Sequence, residues 1–392
     1  MSWKKVKFST LYEIPSRNGL TKPSRIRGSG YKMINMGELF ANSRIYDIPM
    51  ELVPLTDSEK INCKVERNDL LFARQSLVLE GAGKCSIVME TSSMTVFESH
   101  LIRVRLNLKK AYPPFYYYYF ASSLSPITSI VSQCAQAGIR GSDLGELYVD
   151  LPPVDTQHRI ADILSAYDDL IENNQKQIKL LEETAQRLYK EWFVDLRFPG
   201  HEHTKIVDGV PEGWKRRKLV DIAQVQYGYA FDGSLFNSQK IGTPIIRIRN
   251  IPQGQTEDYT PENVDSQYLV YNGDIIVGMD GEFHINTWAG DTAYLVQRTC
   301  RIKALTSDLN GFLLWAIYEP IKYFEKTVVG ATVAHLGKKH IDTVEILVPT
   351  EKFYLPFKSL FEARLLLMNQ NRALAEARDR LLPKLMSGEV EV

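Results

Sequence analysis

The chain has 392 residues, with 47 basic side chains against 47 acidic ones, 44% hydrophobic and 24% charged content. That length predicts two or three domains, and the composition excludes a disordered, collagen-like or disulfide-built chain. Zero net charge excludes a uniformly basic, free-standing nucleic-acid binder. With no run of 18 apolar residues, no apolar leader core between Met1 and Lys7 and four scattered cysteines (Cys63, Cys85, Cys134, Cys300), the sequence reads as a cytoplasmic protein with reduced thiols.

In chain order, the sequence runs through one plan twice. Trp3, with Phe8 and Leu11 five and eight residues on, is answered by Trp214 with Leu219 and Ile222. Gly30-Tyr31-Lys32-Met33-Ile34 is answered by Gly242-Thr243-Pro244-Ile245-Ile246. Asn68-Asp69-Leu70-Leu71-Phe72-Ala73 is answered by Asn272-Gly273-Asp274-Ile275-Ile276-Val277. Gly138, Leu144 and Gly145 are matched with Gly330, Leu336 and Gly337. Each copy then enters an alternating strand (Leu147, Val149, Leu151; Val344, Ile346, Val348) that stops at Pro152 or Pro349.

After each proline the apolar period changes from 2 to 3.5. Ile160, Leu164, Tyr167, Ile171, Asn174, Ile178, Leu181, Ala185, Leu188 and Trp192 alternate in steps of four and three, a coiled-coil seam. Asp155–Arg197 has no internal Gly or Pro, so the predicted helix is roughly 60 Å long at ~1.5 Å per residue. A second seam runs through Leu360, Ala363, Leu367, Gln370, Leu374, Ala377 and Leu381, with Pro383 and Gly388 expected to end it. One polar residue interrupts each seam at the same place, Asn174 and Gln370. That pair would fix register whether the helices pack parallel or antiparallel. The stretch from Phe198 through Gly213 reads as a linker. His201 and His203 lack a third ligand at a recognisable spacing, so they read as solvated. Tyr116–Tyr119 could stack bases, but their counterpart Leu313–Tyr318 favours a buried helix face.

Catalytic motifs are missing. Gly81-Ala82-Gly83-Lys84-Cys85 lacks the first glycine and the hydroxyl of a phosphate loop, and no glycine-rich turn follows an early strand to hold a nucleotide or adenosyl cofactor. Tyr112-Pro113-Pro114-Phe115 is similar to the Pro-Pro-aromatic turn of amino-methyltransferases, but Tyr112 cannot replace the accepting Asn or Asp. Charge is uneven. Residues 1–32 hold eight basic side chains against Glu13, and residues 214–249 hold seven against Asp221 and Asp232. In Asp155–Arg197 acidic residues outnumber basic ones. Basic openings suit phosphate contacts, and an acidic helix suits a spacer held off the duplex.

Taken together, the two halves, the openings Trp3-x4-Phe8 and Pro211-x-Gly213-Trp214, the lead-in Leu151-Pro152-Pro153-Val154-Asp155-Thr156-Gln157 and the tail Arg380-Leu381-Leu382-Pro383-Lys384-Leu385-Met386-Ser387-Gly388 resemble the specificity subunits of type I restriction–modification systems. The second lead-in, Leu347-Val348-Pro349-Thr350, lacks the second proline and the glutamine. The resemblance implies an α+β chain of two pseudo-repeated α/β target-recognition domains (1–152 and 214–349). They are joined through a linker (199–213) by two long helices (153–198 and 350–392) packed as an antiparallel coiled coil. It further implies a non-catalytic subunit that reads a bipartite, asymmetric double-stranded DNA target. Two modification subunits carrying S-adenosylmethionine would methylate adenine N6, and restriction (motor-nuclease) subunits would join for cleavage. This chain itself would hold no cofactor or metal.

Base readers are polar side chains on loops beside strands. The candidates are Lys32, Asn35, Arg74, Gln75 and Arg140 in the first half. In the second they are Arg247, Arg249, Asn250, Asp280, Glu282 and His284. Asn35 and Glu38 answer Arg247, Arg249 and Asn250, while Arg74 and Gln75 answer Asp280, Glu282 and His284. Two other classes compete: a stand-alone DNA methyltransferase or nuclease, which would act without a partner, and a coiled-coil scaffold with two ligand-binding modules, which would not bring down a methyltransferase.

Overall fold

The computed structural model describes residues 3–133, 137–327 and 334–392. Cys134 and Gly330, used in the sequence reading, lie outside them. The chain divides into two compact units, Met1–Asp168 with Glu376–Val392, and Asp169–Ala375. The division passes through both long helices, inside the segments 153–198 and 350–392. The physical reason is that each unit's apolar core extends onto helix. Leu385 and Met386 share the first core with Ile160, Ala161 and Leu164, and Phe353 and Phe357 share the second with Ala185 and Phe193.

In the first unit a five-stranded sheet runs in the order Tyr12–Asn18, Leu101–Leu106, Leu70–Ala73, Cys85–Val88, Arg44–Ile45. Only the last pair is parallel. Leu70–Ala73 is buried at every position, which explains a continuous apolar run in place of alternation. A smaller sheet sets Tyr31–Ile34 between Glu51–Val53, antiparallel, and Thr95–Phe97, parallel. The helix Pro113–Ala121 is buried all round, and Tyr116 to Tyr119 are 0, 7, 3 and 1% exposed. These tyrosines therefore belong to the core and cannot stack on bases.

The second unit repeats the plan. Its main sheet runs Ala223–Tyr227, Thr299–Ala304, Ile275–Gly278, Ile285–Thr287, and Thr243–Ile246 again lies between an antiparallel strand (Tyr259–Thr260) and a parallel one (Ala293–Leu295). Equivalent backbone bonds fix the alignment of the copies. Phe8 N donates to Leu147 O at 2.8 Å as Leu219 N does to Val344 O, and Ile139 N donates to Arg74 O at 2.9 Å as Leu336 N does to Met279 O at 2.8 Å. Leu336 thus answers Ile139, and Leu144 answers Ile341. The spacing-based match of Leu144 with Leu336 slips by five residues, because a single apolar residue between polar neighbours carries no register of its own. Asp69 and Asp274 do coincide: each buried carboxylate accepts from the backbone N–H three residues earlier, at 2.7 and 2.9 Å. The residues before them, Asn68 (φ +74°) and Gly273 (φ +92°), are the types that tolerate a left-handed backbone. Burial pushes the Asp69 carboxyl up against the opposing fork of Arg105.

Gly30 and Gly242 turn the chain into the small sheets at φ +109° and +89°. A Cβ on Gly242 would lie 2.0 Å from Thr260 O, a backbone atom that cannot swing away. Gly242→Ala is expected to cost at least ~1–3 kcal/mol, read by urea unfolding. Gly233→Ala, whose Cβ would meet nothing within 4 Å, should change little. Equal losses at both sites would disprove the steric argument.

The first long helix is α-helical over Val154–Tyr189 and ends in a π turn over Lys190–Val194. The second runs unbroken over Glu351–Ser387, so Pro383 does not end it. One turn from the end, Pro383 removes a single backbone bond, and Gly388 (φ +72°) closes the helix. Within each unit the helices pair antiparallel. In the first, the start of one shares a core with the end of the other. In the second, Asn174 Nδ2 donates to Gln370 Oε1 at 3.4 Å, Arg364 Nε donates to Glu182 at 2.7 Å, and Tyr189 packs on Phe357. Asn174 is buried but Gln370 is exposed, so this amide pair sits at the rim of the seam, not inside it. The linker contains a short hairpin, Ile206–Val207 with Val210–Pro211.

Candidate nucleic-acid interface

Each unit gathers polar side chains at one corner, built from the same four segments. The first is the helical turn after the central strand of the small sheet. Its opening residue, Asn35 or Arg247, has its backbone N–H accepted by Glu38 Oε2 or Asn250 Oδ1, both at 2.8 Å. The second is the end of the buried strand, Arg74-Gln75 or Met279-Asp280. The third is the residue before the next strand of the main sheet, His100 or Arg298, whose carbonyl accepts from Arg74 N at 2.7 Å or Met279 N at 2.9 Å. The fourth is the segment leading to a short helix, Gly138-Ile139-Arg140 or His335-Leu336-Gly337. It crosses the second segment through Gln75–Gly138 pairing in one unit and an Asp280–His335 bridge in the other.

In the first unit this corner holds a cleft lined by Met36, Phe40, Gln75, Ser76, Leu77 and His100. Asn35 stands beside it, but its amide is turned inward and donates to Met33 O at 3.4 Å. Arg74 Nη1 donates to Ser99 O at 3.3 Å, so it braces the loop. Arg140 is exposed at the start of Gly141–Glu146, and its side chain makes no bond among the described residues. Lys32 belongs elsewhere: it lies within its strand and pairs with Asp47 at 2.5 Å.

In the second unit Arg249 and Asn250 both bond Asp258, and Arg247 lies over the Phe236 ring at 5.5 Å. The turn Ile248–Asn250 packs close to Gly278, which brings it to the same corner as Asp280. Asp280 accepts from Arg298 Nη1, and its other oxygen lies 2.5 Å from His335 Nδ1. Burial pushes the Asp280 carboxyl up, but the bonds from His335 and Arg298 outweigh it and hold the carboxyl below the usual range. Glu282 lies 3.5 Å from His284 and 4.0 Å from Lys322, a solvated ion cluster.

Asp280 is a partly buried anchor that holds His335 and Arg298. Arg298, His335 and His100 were missed by the sequence reading, because each stands alone among residues with no period. Only the alignment of the two copies, which places His100 opposite Arg298, could have pointed to them. The basic openings differ as well. Lys7, Lys22, Arg27 and Lys32 are paired with Glu146, Glu59, Glu51 and Asp47. Lys215–Lys218 forms a fully exposed basic strand with no recorded ion pair among the described residues. There, too, no helix is long and apolar enough to cross a membrane.

A family model described as the type I restriction modification DNA specificity domain matches residues 2–183 and 211–352. The chain is 28% identical over 272 residues to the type I restriction enzyme MjaIX specificity subunit of Methanocaldococcus jannaschii, covering 65% of this chain and 63% of the relative. It is 32% identical over 141 residues to the EcoBI specificity subunit of Escherichia coli, covering 36% of this chain and 30% of that one. These matches thus span less than two thirds of those relatives. A crystal structure of the type I restriction–modification S subunit from M. genitalium shares the fold, with a TM-score of 0.58 at 15% identity over 98% of this chain and 96% of that one.

Proposed function

Because this chain belongs to the type I restriction modification DNA specificity family, we propose that it is the specificity subunit of such a system. It reads a split, asymmetric DNA target in the cytoplasm, one half-site with each unit. It docks two modification subunits, which hold S-adenosylmethionine and methylate adenine N6, and restriction subunits join them for cleavage. One observation carries this reading: the same corner of a repeated fold bears Gln75 and His100 in one unit and Arg247 and Arg298 in the other. A shared backbone with different polar side chains is what two half-sites of different sequence require. The exposed Lys215–Lys218 strand supports phosphate contacts, which fix position without carrying sequence.

The test is to express the full chain with a type I modification subunit and map N6-methyladenine across the host genome. One bipartite, asymmetric motif is expected, present only when both proteins are. Methylation or cleavage by the purified chain alone would overturn the reading, and so would a complex with no site preference.

A further inference from the structure

Arg298 is the residue on which the second unit's corner converges. It is one of five non-glycine residues with positive φ among the described residues, at +67°, immediately before Thr299–Ala304. A left-handed backbone disfavours a long side chain such as arginine, and such strain persists where the surroundings over-determine it. Here they do. The backbone carbonyl of Arg298 is held by Met279 N–H, and its Nη1 is held by Asp280. The Asp280 side chain is only 14% exposed, while that of Arg298 is 62% exposed. Nε and Nη2 of the fork make no recorded bond among the described residues. His335, 57% exposed, occupies the other Asp280 oxygen through Nδ1, and its Nε2 makes no bond among the described residues. One partly buried carboxylate thus holds the exposed Arg298 fork in place before any ligand arrives, with His335 on its other oxygen.

We propose that Arg298, oriented by Asp280, reads a guanine in the half-site addressed by the second unit. The inference rests on the specificity-subunit reading above and assigns part of its DNA contact. A guanidinium with one edge fixed and the other free is preorganised for the paired O6 and N7 acceptors that guanine alone presents in the major groove. Fixing the fork in advance removes rotamer entropy that a free arginine would lose on binding. Asp280 is a positioning residue: it touches Arg298 and His335, not the base.

The test uses the full chain co-expressed with its modification subunit, on duplexes carrying every single substitution in the mapped site. Arg298→Ala should erase preference at one G·C pair of one half-site. Affinity for the native base there should fall roughly tenfold to a hundredfold, leaving all other positions and the second half-site unchanged. Arg298→Lys keeps the charge but not the fork and should be equally degenerate at that pair. Asp280→Asn should weaken discrimination at the same pair and nowhere else. Arg298→Gly, which accepts the left-handed backbone, keeps the test open if the alanine variant folds poorly. Uniform weakening on every sequence, with rescue by Arg298→Lys, would make Arg298 a phosphate anchor and overturn the proposal. So would an unchanged preference in all variants. A wild-type complex without site preference would instead overturn the specificity-subunit reading itself.

Discussion

Arg378→Ala is expected to cost about 3–5 kcal/mol, because it strands a buried carboxylate. Asp168 lies in the first long helix with a side chain only 8% exposed. One of its oxygens accepts from Arg378 in the second long helix, and the other accepts from Tyr118 at 2.5 Å. Burial pushes the Tyr118 phenol up, so it remains a donor at any working pH and cannot supply the missing charge. Removing only the cation leaves an anion that the protein cannot solvate. Amide hydrogen exchange of the full chain should show protection lost over residues 154–168 and 376–387. In an Asp168→Asn background the same substitution should cost far less, since no charge is left to strand. Equal cost in both backgrounds would mean that Arg378 acts by packing of its stem alone.

Phe357→Ala should cost about 3–5 kcal/mol in the second unit through a different cause, a cavity that cannot collapse. Phe357 is fully buried, and its ring meets Tyr189, Trp192, Phe193 and Phe312. Those residues come from two stretches of chain separate from its own, so no single side chain can move in to fill the space. The loss is read from the urea midpoint of the full chain and from exchange over residues 185–198. Phe357→Leu, which keeps most of the volume, should recover much of it. A cost under 1 kcal/mol for the alanine variant would show that this joint does not hold the helices to the core.

These two residues also mark where the sequence could be read. The apolar steps from Ile160 to Trp192 are a local signal, and every one of those residues is at least half-buried or fully buried in the helix that forms. Phe357 lies one turn before the first residue assigned to the second seam, and Arg378 is one residue past Ala377 in it. A heptad written only in apolar letters passes over both. The core reading of Tyr116–Tyr119 came from comparison of the two halves, and burial places them there. The same comparison slipped at Leu144 and Leu336, where one hydrophobic letter was asked to set register.

The corner residues show the other limit. Asn35, Asn250 and Asp280 were chosen as polar residues on loops, and the fold uses all three to hold its own backbone or side chains. Whether a polar side chain faces outward or braces its own loop depends on neighbours distant in sequence. Asp280 meets His335 across 55 residues of chain and Arg298 across 18.

By itself, the sequence determined the repeat, the two long helices and the family, because periodicity and helix-border motifs are local patterns written along the chain. Only the tertiary structure decided that the helices are divided between two cores, that Asp280 is an anchor, and that Arg298 stands exposed beside it, bonded through Nη1 alone among the described residues. Those facts follow from burial and from contacts between separated segments, which exist only once the backbone has closed on itself.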